Sequence, residues 1–447
     1  KADVNGDGLE DLFISGDKDS PGKIYLQQKD GIFQVIKLIR SKTEEVGTIS
    51  AAAFFDANGD GKPDLYIAKG GYSTYEPNTA SLQDELYLNE GNGRFVLSPA
   101  ALPILNTNSK ACVKPSDFDG DGDIDLFVGG RVIPGKYPVA PESYLLVNDG
   151  KGGFTIANIP FAKAGMVTDA QWIDLNGDGR MDLALCGEFM PITVLINTKE
   201  GFKDQTQDYF ASPLRGLWFK IHFADVNGDG KPDLIAGNFG QNSQLHASEK
   251  EPAELYYADF DSNGSIDPFF NFYLDGKSYP FVSRDEINEQ IYPMRRRFTS
   301  YKAYADATIN EIFTPQELTA SSKLSLNTTQ TTLFINQDGK FIAGTLPIQA
   351  QFAPVSQILT NDFDHDGKID LLLLGNHEDN RLKIGSMDAN YGCLLKGDGK
   401  GGFAYIEQSV SGLSITGDVK AALELQINKA PYLLIGTSQG SLKFYKE

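Results

Sequence analysis

Short apolar runs recur along the chain, each a few residues long and each closed by a cluster of Gly, Asn or Asp. Ala51 to Phe55 is followed by Leu65 to Ala68, Ile221 to Ala224 by Leu234 to Ala236, and Ile358-Leu359 by Leu371 to Leu374. Runs this short, bounded by turn residues, predict buried β-strands in antiparallel pairs. A second hairpin follows in several units: Leu86 to Phe95, Leu145 to Phe154, Leu333 to Phe341 and Leu394 to Phe403. Its Gly and Asn residues supply the positive φ that tight turns need. The unit is strand A, loop, strand B, longer connection, strand C, Gly-rich turn, strand D, which is the blade of an all-β propeller.

Eight A–B hairpins can be counted, and the chain from 1 to 447 is expected to form a single β-propeller. About 20 residues separate Asp233 from the strand at Glu254, too few for a second hairpin there, so the count stands at seven or eight blades. The final unit keeps its strands (Val419 to Ile427, Tyr432 to Gly436, Leu442 to Tyr445) without an acidic loop, as expected where the ends of a ring meet. Only residues 280–323, with apolar positions at helical spacing in Arg284 to Ile291 and Phe298 to Phe313, predict a helical insertion within one blade.

The A–B loop is a ten-residue phrase that starts at seven places, and from Asp3 to Asp225 successive starts lie 51 to 61 residues apart. Oxygen-bearing side chains fall at its positions 1, 3, 5 and 9, with the main-chain carbonyl of position 7 between them. Read in that order, the candidate ligands of the first three loops are Asp3, Asn5, Asp7, Leu9 and Asp11; then Asp56, Asn58, Asp60, Lys62 and Asp64; then Asp117, Asp119, Asp121, Asp123 and Asp125. The next two loops give Asp174, Asn176, Asp178, Arg180 and Asp182, then Asp225, Asn227, Asp229, Lys231 and Asp233. The last two give Asp259, Asp261, Asn263, Ser265 and Asp267, then Asp362, Asp364, Asp366, Lys368 and Asp370.

Position 6 is Gly in every copy, as a tightly curled loop demands. An all-oxygen cage of this kind suits calcium, which takes six to eight oxygens at roughly 2.3–2.6 Å, better than magnesium or zinc. An EF-hand would need Glu at position 12, where this chain has Ile14, Ile67, Val128, Leu185, Ala236, Phe270 and Leu373. Positions 1, 3, 5 and 9 carry 23 carboxylates in all, whose mutual repulsion calls for cations. The loop at Asp259 is expected to be the weakest, because Asn263 replaces an Asp and Pro268 follows the last ligand, so about six or seven Ca²⁺ ions are expected.

With 60 acidic against 40 basic residues the formal charge is −20, which argues against nucleic acid and anionic lipid as partners. Cys112, Cys186 and Cys393 are odd in number and lie in apolar runs, so they are read as buried thiols. No run of 18 apolar residues appears, hence no transmembrane helix. The chain opens inside a repeat at Lys1, which is read as a fragment of a longer protein with a targeting segment upstream. Extracellular calcium modules bind at about 10⁻⁴–10⁻³ M, so the loops imply an extracytoplasmic location: cell surface, periplasm or secreted.

The acidic loops and alternating strands resemble the VCBS/FG-GAP repeat family, as found in integrin α-chain propellers and the cartilage acidic protein/UnbV group. Val128-Gly-Gly-Arg131-Val-Ile-Pro134-Gly-Lys-Tyr137-Pro and Gly237-Asn238-Phe-Gly-Gln-Asn242 look like that group's bacterial surface members. The resemblance implies calcium binding, an extracytoplasmic site and a role in adhesion or ligand capture.

In a blade, A–B and C–D turns lie on one face and the long B–C connections on the other. Those connections carry Tyr72, Tyr75, Arg131, Tyr137, His246, His377 and Arg381, types that stack on sugars or pair with carboxylates. Each alone reads more simply as loop packing; together they mark a candidate site for a glycan or protein partner. Trp172 and Trp218 are expected in the core, and Arg295-Arg296-Arg297 with Tyr301 and Tyr304 is either an anionic-partner patch or a solvated helix face. The function read is a binding or adhesion scaffold. A polysaccharide lyase-like enzyme using the same face, and a structural subunit of a surface assembly, are the alternatives. No G-x-S-x-G or H-E-x-x-H motif is present to favour catalysis.

Overall fold

The computed structural model describes residues 1–16, 21–40, 47–72, 76–380 and 383–446. Among these the chain forms eight antiparallel sheets and a few short helices. The first sheet contains Leu12–Ile14, Lys23–Gln27 and Phe33–Lys37; the second, Thr48–Phe55, Asp64–Gly70, Glu85–Asn89 and Phe95–Leu97. The third contains Ser109–Ser116, Asp125–Val132, Tyr144–Asn148 and Phe154–Ile156. In the fourth, Met166–Ile173, Asp182–Pro191, Thr193–Thr198 and Gly201–Asp204 are joined by Arg215–Leu217, which pairs with the far end of Asp182–Pro191. Each four-stranded meander has the strand order that the repeat predicts.

The fifth sheet departs from the sequence reading. Lys220–Ala224 and Asp233–Gly237 find their third and fourth strands in Thr332–Gln337 and Lys340–Ala343, with Leu234 opposite Phe334. The second hairpin expected to be missing there is present, about 100 residues downstream. What intervenes is a separate sheet of Lys277–Pro280, Asp267–Leu274, Ala253–Ala258 and Ser322–Leu326, with five short helices between Arg284 and Ala320. The interruption is therefore wider than residues 280–323 and contains strands as well as helices. One of the eight counted hairpins, the one closed by the Asp259 loop, belongs to this inserted sheet. The sixth sheet (Val355–Asn361, Asp370–Gly375, Cys393–Gly397, Phe403–Ile406) and the seventh (Val419–Ile427, Ala430–Thr437, Lys443–Lys446) complete the set.

The second strands are buried on both faces, and Asp64–Gly70 and Asp370–Gly375 are buried at every position. That is why they read as unbroken apolar runs rather than alternating ones. Each sheet packs on the next. Ile24 of the first meets Ile67 of the second, Tyr66 meets Val128, Phe127 meets Leu185, and Val194 joins Phe334. Ile235 then joins Leu371, and Leu372 joins Ile435. Leu425 and Leu434 of the seventh sheet close the cycle on Leu12 of the first. Burial of one such side chain contributes about 1.5–3 kcal/mol. The three cysteines are buried and unbridged. Trp218 is buried, and Trp172 stacks on Phe118 at 6.1 Å.

Candidate metal-binding loops and the opposite face

Each acidic loop is wound around its own carboxylates. Asp3 Oδ1 accepts from the backbone N–H of Gly6 (2.8 Å) and Asp7 (3.1 Å), and its Oδ2 accepts from Gly8 (2.8 Å). Asp56, Asp174 and Asp225 repeat the pattern. The position-6 Gly is left-handed in all seven loops, with φ between 79° and 97°. The Gly-rich C–D turns lie on the same face: a Cβ on Gly152 would come within 3.6 Å of Asn58 in the neighbouring sheet's loop.

The position-9 carboxylates turn inward. Asp11, Asp64, Asp125, Asp182 and Asp233 are 0% exposed. Asp64 accepts from the N–H of Ala57 at 2.9 Å and of Asn89 at 2.7 Å, so both of its oxygens are fixed toward the loop. Burial, reinforced by neighbouring carboxylates, raises the Asp64 carboxyl to about 6 and the Asp125 carboxyl to about 7. It pushes Asp11, Asp182, Asp233, Asp267 and Asp370 upward too.

Three loops bring three carboxylates together with ligand oxygens within 4.8 Å: Asp117, Asp119 and Asp125; Asp259, Asp261 and Asp267; Asp362, Asp364 and Asp370. These are the copies with Asp at position 3. The loop expected to be weakest is one of them. Asp125 Oδ2 and Asp261 Oδ1 are buried without a hydrogen-bond partner, an arrangement that is unfavourable unless something positive sits against them. The donor set fits a hard divalent cation such as calcium.

The residues at position 7 do more than offer a carbonyl. Lys62 reaches Asp60 at 2.7 Å, Arg180 reaches Asp178, and Lys368 reaches Asp366 at 3.2 Å, so a basic side chain neutralises its own loop's position-5 carboxylate. Lys231 instead binds Asp338 at 2.7 Å. Lys396, absent from the sequence reading, binds both Asp364 and Asp366. Sequence reasoning also missed a residue at or next to the end of the third strand in the second to sixth sheets. Its backbone N–H holds the position-9 carboxylate, and its signal was the Asn repeated in Leu86-Tyr-Leu-Asn89 and Leu145-Leu-Val-Asn148.

On the opposite face Arg131 grips Glu188 through Nε (2.9 Å) and Nη2 (2.6 Å), and the Tyr137 hydroxyl donates to the same carboxylate at 3.4 Å. Beside Tyr137 is a cavity of about 280 Å³ walled by Phe189, Phe239, Leu255, Phe270 and Phe281. Phe189 has φ 57° at a bulge between Glu188 and Met190, a strained backbone that turns its ring out of the ladder toward the cavity. Glu188, Phe189 and the inserted-sheet aromatics were not foreseen, because the inserted sheet supplies much of the wall. Tyr72 is exposed, His377 is partly buried with its imidazole pKa lowered chiefly by burial, and His246 is exposed outside the cavity lining. Tyr75 and Arg381 lie outside the described residues. In the insertion Arg295 stacks over Tyr292 and bonds the Asn288 carbonyl, Arg297 lies 3.8 Å from Glu317, and Tyr304 is buried, so the basic run is partly spent on packing.

A family model for the FG-GAP-like repeat matches residues 3–67, 117–185 and 174–236. No curated protein matches the chain. Among solved structures it is similar to an Agrocybe aegerita lectin described for specific recognition of non-reducing terminal N-acetylglucosamine, at 15% identity and TM-score 0.44, over 90% of this chain and 77% of that one. It is also similar to the V. cholerae biofilm matrix protein Bap1, at 13% identity and TM-score 0.36, over 100% of this chain and 86% of that one. Likenesses this distant bear on neither ligand nor mechanism. Five of the acidic loops, from Asp3 to Asp233, lie inside the matched stretches, so residues 3–67 and 117–236 are FG-GAP-like repeats.

Proposed function

We propose that the seven mutually packed sheets are the blades of a calcium-loaded propeller that works outside the cytoplasm as a binding or adhesion scaffold. The ions would be held by the oxygens at positions 1, 3, 5 and 9 and the position-7 carbonyl of each acidic loop, where their charge offsets the clustered carboxylates. The observation that carries this reading is the convergence in three loops of three carboxylates, one of each three buried, with one buried oxygen of Asp125 and one of Asp261 left without a hydrogen-bond partner. Occupied loops would staple the first two strands of each blade and leave the other face free for a partner.

The partner site is assigned to the face of Tyr72, Arg131, Tyr137 and His377 with the aromatic cavity. Its rings offer flat surfaces for a sugar ring or a protein side chain, and the half-exposed Arg131 guanidinium beside Glu188 gives the rim a polar, orienting edge. The test is native mass spectrometry for bound calcium, followed by glycan and protein screens with wild type and an Arg131→Ala/Tyr137→Ala variant. Several calcium ions in both proteins, with partner capture lost only in the variant, supports the reading. Absence of calcium, or capture unchanged in the variant, overturns the corresponding half.

A further inference from the structure

We infer that the Asn at the end of the third strand of the second and third sheets (Asn89, Asn148), and one residue before it in the fourth (Asn197), is a positioning residue coupling neighbouring cation loops, so that the loops starting at Asp3, Asp56, Asp117 and Asp174 fill cooperatively while the loop at Asp362 fills on its own. The inference rests on the cation reading above.

The backbone N–H of the corresponding residue donates to the position-9 carboxylate of its own sheet in six cases: Gln27 to Asp11 (2.8 Å), Asn89 to Asp64 (2.7 Å), Asn148 to Asp125, Asn197 to Asp182, Asn336 to Asp233 and Gly397 to Asp370 (each 2.8 Å). The side-chain amide then reaches across to the preceding sheet. Asn89 Nδ2 donates to the Val4 carbonyl at 2.8 Å, Asn148 Nδ2 to the Ala57 carbonyl at 3.0 Å, and Asn197 Nδ2 to the Phe118 carbonyl at 2.7 Å. Val4, Ala57 and Phe118 each stand at position 2, between two candidate ligands of their own loop. Any adjustment of positions 1 and 3 around an ion therefore moves the carbonyl that anchors the next sheet's Asn, whose backbone holds the next loop's last carboxylate. One residue and two hydrogen bonds join each loop to its neighbour, and the joints run unbroken from the fourth sheet to the first.

The series is interrupted in the fifth sheet, where Asn336 Nδ2 donates to the Pro232 carbonyl of its own loop at 3.2 Å, and again in the sixth. Gly397 supplies the backbone N–H but has no amide to reach across, and a Cβ there would stand 2.1 Å from the Ile369 carbonyl oxygen, which bars a larger residue. The first sheet's Gln27 makes the same crossing, but to the Gln426 carbonyl of the seventh sheet, which has no acidic loop, so the coupled row ends there. Gln27 also indicates that Gln can span the gap in place of Asn.

The test is calcium titration of the metal-depleted full chain, read by native mass spectrometry as the distribution of ion counts. Wild type is expected to under-populate the partly filled states, with a Hill coefficient above 1. Asn148→Ala keeps the N–H to Asp125 but removes the amide, and should split the row, populate intermediate states and weaken filling of the second and third loops several-fold, while Asn148→Gln restores the wild-type distribution. Should Asn148→Ala fail to fold, Asn197→Ala breaks the next joint. Calcium bound in a statistical distribution by wild type, or a distribution unmoved by either Ala variant, overturns the coupling alone. Absence of any bound calcium overturns the cation reading and the coupling with it.

Discussion

On one face six sheets repeat a single ten-residue geometry, each loop wound around its own carboxylates; on the other, the connections share neither length nor sequence, and the cavity beside Tyr137 draws its walls from residues as far apart as Phe189 and Phe281. The first face is coded locally, so that residues within ten positions of one another make its decisive contacts. The second is assembled from distant pieces, and a bulge, an inserted sheet and a strained Phe bring its residues together. The difference teaches that local repetition fixes a scaffold, whereas the surface available for a partner depends on where the repetition fails.

Stripping calcium should break the comparison most severely. A site held at 100 times its Kd contributes about 2.7 kcal/mol, so EGTA acting on several sites should lower the melting temperature by on the order of 10 °C or more in calorimetry. An unchanged melting temperature would mean the repeated loops are only turns. Next in size, Phe189→Ala removes a buried ring from the cavity wall and should lower stability by about 3 kcal/mol in chemical denaturation, with the ion count by mass spectrometry unchanged. Asp125→Ala strands the Asn148 N–H and should lower stability by about 2 kcal/mol while removing one ion.

A smaller effect sharpens the contrast through pH. In metal-free protein the Asp64 and Asp125 carboxyls stand near 6 and 7, above their unfolded range, so the folded state keeps protons that the unfolded state has released. Their contribution therefore falls as pH rises from about 4 through 7. The metal-free melting temperature should decline over that window less steeply in Asp125→Asn, and calcium-loaded protein should lack this decline. Smallest of all, Arg131→Ala should lower stability by about 1 kcal/mol, because the pair it makes with Glu188 is half exposed, and should leave ion content untouched.

Much of the scaffold was legible. The acidic phrase located the loops, and the apolar runs gave the strand pairs, because both signals sit within a few residues. The fifth sheet was misread because its hairpin was sought beside Asp233 rather than at Leu333, and no local pattern reveals a strand pairing across an insertion. The Asp259 loop was ranked weakest on Asn263 at position 5 and Pro268 after its last ligand, whereas the carboxylates that converge are those at 1, 3 and 9. Arg131 and Tyr137 were picked by type, but Glu188, the residue that binds them both, lies beside the bulge of a largely buried strand and carried no motif.

The contact between the seventh and first sheets bears on how the molecule is made. Gln27 and Gln426 are hydrogen-bonded across 399 residues of chain, and Leu12 meets Leu425. This seam cannot form until the chain through Gln426 has left the ribosome, and contacts of such long sequence separation are slow to form. Until then the outward apolar face of the first sheet stays uncovered and open to association with other chains. Loops that fold around nearby residues, as Asp3 to Asp11 does, would give the early sheets a structured edge during that wait, long before the ring has a last sheet to close it.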